Sequence, residues 1–163
     1  MQATQTQKQR QSGNELAVRP LSTPKAMKSE LPINADLKVQ IEQQRQQIRD
    51  ILQGKDDRLL IVTGPCSIHD EKAALDYGQR LATLNEKLSD KLLIVMRAYV
   101  EKPRTNIGWK GLAYDPDRNG KGDMAKGIHT SRRIMLSLAE LGLPLATEAL
   151  NPLVMNYLDD LIS

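Results

Sequence analysis

Two short runs of apolar residues limit what this chain can fold into. Residues 59–62 and 92–96 are almost wholly apolar, which is typical of strands in a sheet that is covered on both faces. Each run is followed by a stretch whose apolar residues recur at helical spacing. Strands that alternate with amphipathic helices form right-handed βαβ units around a parallel sheet. The sequence therefore predicts an α/β fold.

The predicted elements follow one another in a regular order. A first helix begins after Asn34, a typical N-cap residue, and ends near Gly54. The later predictions are strand 58–63, helix 71–88, strand 92–99, loop 101–122, helix 124–141, strand 144–150 and a helix from Pro152. Three such units are too few for a complete (β/α)8 barrel of about 250 residues. We therefore expect the N-terminal part of a longer chain, with an open sheet edge.

Residues 1–33 are polar and contain three prolines. We interpret them as a flexible arm that a partner subunit could order, and residues 34–163 as one domain. Five basic and two acidic residues in the arm account for the net charge of +3, so the body of the chain is neutral. This distribution argues against a nucleic-acid-binding module. A lone cysteine, no secretory signal and no membrane-length apolar run favour a cytoplasmic protein without a membrane partner.

The first predicted strand ends in a turn that presents a thiol. Gly64 and Pro65 force a tight turn, and Cys66 falls at the mouth of the sheet. Functional side chains of such folds lie at the C-terminal ends of strands, so Cys66 is a candidate metal ligand or nucleophile. The alternative is a small buried residue. We interpret His69 as a loop or capping residue and Asp70 as a helix N-cap.

The second predicted strand is followed by a cluster of cations. Arg97, Lys102, Arg104 and Lys110 lie close together in sequence, in a loop stiffened by Pro103. Planar arginine side chains suit phosphate and carboxylate oxygens, and lysine supplies a point charge. The simplest ligand is a small molecule with phosphate groups.

Two further residues have predicted roles near this loop. Trp109 is predicted to be a packing anchor that fixes the cationic loop. Glu148 ends the third predicted strand, where a carboxylate faces an active site and can orient a water, a lysine or a neighbouring group. The alternative for Glu148 is a structural ion pair with one of the loop cations.

Three ordered motifs resemble the microbial type I 3-deoxy-D-arabino-heptulosonate 7-phosphate (DAHP) synthases. They are Arg58–Asp70, Met96–Thr105 with Gly108–Leu112, and Gly142–Leu150. The resemblance extends over residues 35–163 and implies the first three βα units of a (β/α)8 TIM barrel, preceded by an arm and a helix. The related 3-deoxy-octulosonate 8-phosphate synthases share this fold, but their second loop does not normally contain Lys-Pro-Arg-Thr.

The resemblance implies a metal-dependent transferase of the shikimate pathway. Its reaction condenses phosphoenolpyruvate with erythrose 4-phosphate and opens the biosynthesis of aromatic amino acids. Carried over by motif, Lys102 and Glu148 are catalytic, Cys66 is one ligand of Mn, Fe, Co or Zn, and Arg97, Lys102, Pro103, Arg104, Thr105 and Lys110 bind substrate. Two anionic substrates must be held together in this reaction, which requires several fixed cations.

The resemblance also sets limits on this chain. The remaining metal ligands of the family, a His, a Glu and an Asp, belong to later strands, so we expect this N-terminal fragment alone to be inactive. Val100 stands where the family usually has Phe, a change that we expect packing to tolerate. The family is homo-oligomeric and feedback-inhibited by an aromatic amino acid. The segment Leu145–Pro152 most resembles the tyrosine-sensitive form of the enzyme, so tyrosine is the favoured effector. The alternatives are a non-catalytic chain that binds phosphate compounds or joins oligomers, and a different phosphate-handling barrel enzyme.

Overall fold

A computed structural model describes residues 20–104 and 107–163 of the chain. Its elements are α1 (Pro24–Glu30), α2 (Ala35–Leu52), β1 (Leu59–Thr63), α3 (Glu71–Leu88), β2 (Leu92–Arg97), α4 (Met124–Glu140), β3 (Leu145–Ala146), α5 (Pro152–Met155) and a 3-10 turn (Asp159–Leu161). The strands form a parallel sheet of order β1-β2-β3. Leu59 of β1 lies opposite Leu92, and Leu145 of β3 lies opposite Met96. The α/β prediction is confirmed, and all three carboxyl ends share one edge of the sheet.

Side-chain caps fix where the long helices begin. The Asn34 side chain accepts from the Leu37 amide at 2.7 Å, and the Asp70 side chain accepts from the Ala73 amide at 2.8 Å. Each such cap stabilises its helix by about 1 kcal/mol. Both predicted N-caps are confirmed, and α3 has the predicted bounds. Within residues 20–104 and 107–163, no helix is both long and apolar enough to cross a membrane.

The last two strands are shorter than predicted. The predicted strand 92–99 ends at Arg97, and the predicted strand 144–150 contains only Leu145 and Ala146. After Ala146 the ladder stops, because the Thr147 hydroxyl donates to the Ala98 carbonyl at 3.0 Å in place of a backbone amide. The predicted helix from Pro152 is a single turn, α5. The chain at this edge is therefore loop that can present side chains.

The predicted flexible arm is wrong where the structure describes it. Residues 24–30 form α1, whose Met27 is buried in the core. The prolines suggested irregular chain, but Pro24 occupies the start of the helix, where a missing N–H costs nothing. Residues 1–19 of the predicted arm lie outside the described residues.

The core is formed where helix α4 packs against strands β2 and β3. Met96, Ile128, Met135 and Leu145 are fully buried there. Strand β1 differs, because Leu59, Ile61 and Val62 are 65%, 38% and 49% exposed. The prediction that both apolar strands are covered on two faces is therefore wrong for β1, which is an edge strand of the described sheet.

One charged side chain lies in the core. Arg132 of α4 is 0% exposed. It donates to the Leu31 carbonyl at 3.0 and 2.8 Å and to the Tyr157 carbonyl at 2.8 Å, and it forms a two-point pair with Asp160 at 2.7 and 2.9 Å. Burial opposes ionisation of Asp160, but the hydrogen bonds and charge of Arg132 outweigh it, so the pKa of Asp160 is lowered. A single arginine thus joins the end of α1, α4 and the 3-10 turn.

Candidate active site

Two of the predicted site residues meet at the carboxyl edge of the sheet. The Lys102 ammonium donates to the Cys66 sulfur at 3.0 Å and to the Cys66 carbonyl at 2.7 Å. The loops after β1 and β2 are therefore joined by one side chain. Cys66 is exposed, so its alternative interpretation as a small buried residue is wrong.

The charges around Cys66 favour its thiolate. The hydrogen bond from Lys102 is the largest cause that lowers the pKa of the Cys66 thiol, and the charges of Lys102 and Arg97 add to it. Desolvation by neighbouring atoms and the carboxylate of Glu148 act in the opposite direction but do not outweigh the cations. The thiolate is the form of cysteine that binds metals and attacks electrophiles.

Replacing Lys102 with methionine should slow alkylation of Cys66 several-fold at neutral pH. The variant loses the ammonium that lowers the thiol pKa, so a smaller fraction of the sulfur is thiolate. Because Cys66 is the only cysteine of the chain, mass spectrometry after iodoacetamide treatment measures this rate directly. Lys87→Met, on the exposed last turn of α3, is the control and should react like the parent. Equal rates for the parent and Lys102→Met would contradict the observed contact.

Arg97 and Glu148 carry buried atoms without partners. One guanidinium nitrogen of Arg97 donates to the Gly64 carbonyl, but its Nε and the Glu148 Oε2 are buried without a hydrogen-bond partner. Such atoms are rare in folded proteins and indicate a site for a ligand or water. Glu148 forms no ion pair with any described residue, so its interpretation as a structural ion pair is wrong for this part of the chain.

A cavity of about 370 Å³ lies between the loops after β2 and β3. Its walls are formed by Glu101, Lys102, Pro103, Arg104, Lys110, Tyr114, Leu150, Asn151 and Pro152. The structure thus brings together four of the predicted substrate-binding residues, while Arg97 lies outside this lining and Thr105 lies outside the described residues. No carboxylate of the described chain pairs with the three cations of this wall. Its volume is sufficient for a small phosphorylated molecule.

Trp109 borders a second, larger cavity of about 740 Å³. Its indole Nε1 donates to the Asp115 carbonyl at 2.8 Å, and its ring packs against the core. The predicted packing anchor is confirmed. His69 borders the same cavity from the loop after β1, which confirms the interpretation of His69 as a loop residue.

The described residues do not fit a divalent metal by themselves. In residues 20–104 and 107–163, no three His, Cys, Asp or Glu side chains lie close enough together to hold an ion. Catalytic metals generally need three protein ligands, and Cys66 supplies one. Its sulfur is also occupied by the ammonium of Lys102.

A hydrogen-bonded cluster in the wall of the smaller cavity was not predicted from the sequence. The Tyr114 hydroxyl donates to Glu101 at 2.9 Å, and the Asn151 side-chain amide donates to the Tyr114 oxygen at 2.9 Å. The Asn151-Pro152 pair is a recognisable helix start. Its contact with Tyr114, 37 residues away, follows only from the fold.

A model of the DAHP synthetase I family matches residues 34–163. The Tyr-sensitive phospho-2-dehydro-3-deoxyheptonate aldolase of Escherichia coli K12 is 48% identical over 143 residues, which are 88% of this chain and 40% of that protein. The phenylalanine-inhibited aldolase of Saccharomyces cerevisiae is 51% identical over 88% of this chain and 39% of that protein. The phospho-2-dehydro-3-deoxyheptonate aldolase of Amycolatopsis methanolica is 44% identical over 91% of this chain and 73% of that protein.

A solved structure supports the same assignment. The phospho-2-dehydro-3-deoxyheptonate aldolase of Francisella tularensis SCHU S4 superposes with a TM-score of 0.86 and 37% identity, over 91% of this chain and 44% of that one. The chain thus spans about two fifths of the E. coli and yeast relatives. Since the family model covers most of this sequence and its three motifs converge at one edge of the sheet, the chain belongs to the DAHP synthetase I family.

Proposed function

We propose that this chain forms the phosphate-binding side of an active site that condenses phosphoenolpyruvate with erythrose 4-phosphate. The products are DAHP and phosphate, and the reaction is the first step of the shikimate pathway. The observation that carries the proposal is the 370 Å³ cavity, where three cations without carboxylate partners lie beside the Cys66–Lys102 contact. In this proposal the described strands are the first three of a (β/α)8 barrel.

The two substrates share Lys102 in this proposal, and each has further cations of its own. The phosphate of erythrose 4-phosphate binds Lys102, Arg104 and the adjoining loop, because these groups line one cavity. Phosphoenolpyruvate lies between Arg97, Lys102 and Lys110. Fixed cations overcome the repulsion between two anionic substrates and hold carbon 3 of phosphoenolpyruvate near the aldehyde. As carbon 3 attacks, the aldehyde oxygen takes a proton, water adds at carbon 2, and phosphate leaves.

Glu148 is a catalytic residue in this scheme, because it holds the reacting water. Its Oε2 is buried and without a partner, so it can accept a hydrogen bond from the water that adds at carbon 2. Its charge also acts on Cys66, which supports a position beside the same mouth. Lys102 donates a hydrogen bond to the Cys66 sulfur and, in this scheme, also binds both substrates.

The family is metal-dependent, and we propose Cys66 as one ligand of a Mn, Fe, Co or Zn ion. The described residues supply no complete site, so the other ligands must come from elsewhere. The relatives' names describe Tyr-sensitive and phenylalanine-inhibited enzymes. We therefore propose an aromatic amino acid effector, with tyrosine favoured, and a homo-oligomer.

Calorimetric titration of this chain tests the proposal directly. We expect erythrose 4-phosphate and phosphoenolpyruvate to bind, and erythrose and pyruvate to bind much more weakly, because the cations recognise the phosphate. The affinity should also fall as salt is added. Equal binding of the phosphorylated and unphosphorylated compounds, or no binding of either pair, would contradict the proposed function.

A second candidate is a non-catalytic chain that binds phosphate compounds. It is favoured by the lack of a three-ligand metal cluster in residues 20–104 and 107–163. An assay for DAHP, with both substrates and a divalent metal supplied, tests this candidate. Product would exclude a non-catalytic chain, whereas substrate binding without product is expected of either candidate, because the other metal ligands must come from elsewhere.

A further inference from the structure

A buried carboxylate lies in the wall of the phosphate-binding cavity. Glu101 is 2% exposed and immediately precedes Lys102 in the chain. Its Oε1 accepts from the Tyr114 hydroxyl at 2.9 Å, and its Oε2 accepts from the Asn151 backbone amide at 3.4 Å. No described cation pairs with it. A negative charge among residues that bind phosphate therefore needs an explanation.

Asn151 fixes the orientation of the Tyr114 hydroxyl. The Asn151 Oδ1 accepts from the Leu153 amide at 2.9 Å and caps α5. Its Nδ2 consequently points to the Tyr114 oxygen, to which it donates at 2.9 Å. Since that oxygen accepts from Asn151, the hydroxyl proton is directed to Glu101. Burial raises the pKa of Tyr114, and although the Asn151 hydrogen bond opposes this, Glu101 adds to the increase, so the hydroxyl stays protonated.

Tyr114 is held close to Glu101 by the loop backbone. The Ala113 amide donates to the Val100 carbonyl at 3.0 Å, and the Lys102 amide donates to the Lys110 carbonyl at 3.0 Å. A Cβ on Gly111 would lie 2.4 Å from the Val100 oxygen, so only glycine allows this approach. The two limbs of the loop thus run together and leave Glu101 and Tyr114 facing each other.

The cations next to Glu101 form no ion pair with a described carboxylate. Lys102 donates to Cys66, and among the described residues Arg104 Nη1 donates to the neighbouring Pro103 carbonyl, at 3.1 Å. A carboxylate released from its two donors could form an ion pair with either cation, because all three line one cavity. An incoming phosphate would then have to displace this internal anion.

We propose that Tyr114 and Asn151 are positioning residues that hold the Glu101 carboxylate away from Lys102 and Arg104, so that both cations stay available to the phosphate of the sugar substrate. This inference rests on the proposed function and adds a determinant of phosphate affinity. It assigns Tyr114 no contact with the substrate.

A set of three variants tests this role by calorimetric titration with inorganic phosphate and erythrose 4-phosphate. Tyr114→Phe should weaken binding about five- to tenfold, the scale of one lost hydrogen bond and one competing charge. Glu101→Gln should bind at least as tightly as the parent, since glutamine cannot pair with a cation. The double variant Tyr114→Phe/Glu101→Gln should regain the affinity lost in Tyr114→Phe.

Tyr157→Phe is the matched control. It removes another tyrosine hydrogen bond, to the Ser22 carbonyl at 2.8 Å, but Tyr157 does not line the cavity. It should lower stability without changing affinity. A purely structural role for Tyr114 would leave affinity unchanged, or would weaken it without recovery in the double variant, and either result overturns the inference. If the parent chain binds no phosphate compound, the proposed function fails first.

Discussion

Replacing Arg132 with methionine is expected to lower the free energy of unfolding by about 3–5 kcal/mol. The methionine fills most of the space but leaves the carbonyls of Leu31 and Tyr157 without their donor. It also leaves the Asp160 carboxylate with only the ammonium of Lys28, at 3.8 Å, in place of the two-point pair. An uncompensated charge in a buried place is strongly destabilising. Because the Asp160 side chain is 22% exposed, water relieves part of this cost and the lower end of the range is expected. Urea denaturation followed by circular dichroism measures the change.

Arg133→Met is the matched control for this prediction. Arg133 neighbours Arg132 on α4, but its side chain is 44% exposed and pairs with Glu71 on the surface. Exposed ion pairs contribute about 0–1 kcal/mol, so this variant should unfold near the parent. A further variant, Arg132→Met/Asp160→Leu, should recover part of the loss, since no charge is left unpaired. Equal stabilities of the parent and Arg132→Met would contradict the role given to Arg132.

The same pair predicts a dependence of stability on pH. The pKa of Asp160 is lowered in the folded chain, so its contribution is fully present above the unfolded value of about 3.9. The contribution is lost as the pH falls through the lowered folded value. Arg132→Met should therefore be less sensitive than the parent to acid in this range.

The second large effect is expected in ligand binding. The variant Lys102→Met/Arg104→Met should weaken binding of erythrose 4-phosphate by about a hundredfold or more, because each charge-assisted hydrogen bond contributes about 1.5–3 kcal/mol. Both side chains line the 370 Å³ cavity, and neither pairs with a described carboxylate. Calorimetric titration measures the loss.

Lys121→Met removes one positive charge from the border of the 740 Å³ cavity and serves as the control. If the chain attracted the phosphate only through its overall positive charge, Lys121→Met and the single variant Arg104→Met should lose the same affinity for erythrose 4-phosphate. We expect the Lys121 variant to bind nearly as well as the parent. If it lost as much affinity as Arg104→Met, the phosphate would not be bound specifically at the smaller cavity.

The sequence could predict those features that depend on neighbouring residues. Helix α3 was placed correctly because its apolar spacing and the Asp70 cap both lie within the segment itself. The convergence of Cys66 and Lys102 was also predictable, because parallel strands place their carboxyl ends at one edge. The three family motifs added the roles of those residues.

Features that depend on distant contacts could not be predicted. Met27 belongs to α1, but its burial depends on a core contributed by other elements. From the sequence alone, Arg132 is expected to lie on the polar, exposed face of α4. Only the fold brings Leu31 and Asp160 into contact with it. Strand β3 is short because the Thr147 hydroxyl, in place of a backbone amide, donates to the Ala98 carbonyl of the neighbouring strand's continuation. The apolar sequence of β3 does not contain that information.

Mapping of amide chemical shifts during titration with erythrose 4-phosphate tests the central claim most directly. If the cations at the carboxyl edge of the sheet bind the phosphate, the largest changes should occur at the amides of Glu101, Lys102, Arg104, Lys110 and Asn151, which border the smaller cavity. Erythrose should cause much smaller changes. Changes centred on residues 118–122, beside the larger cavity, or no changes during a complete titration, would contradict the account.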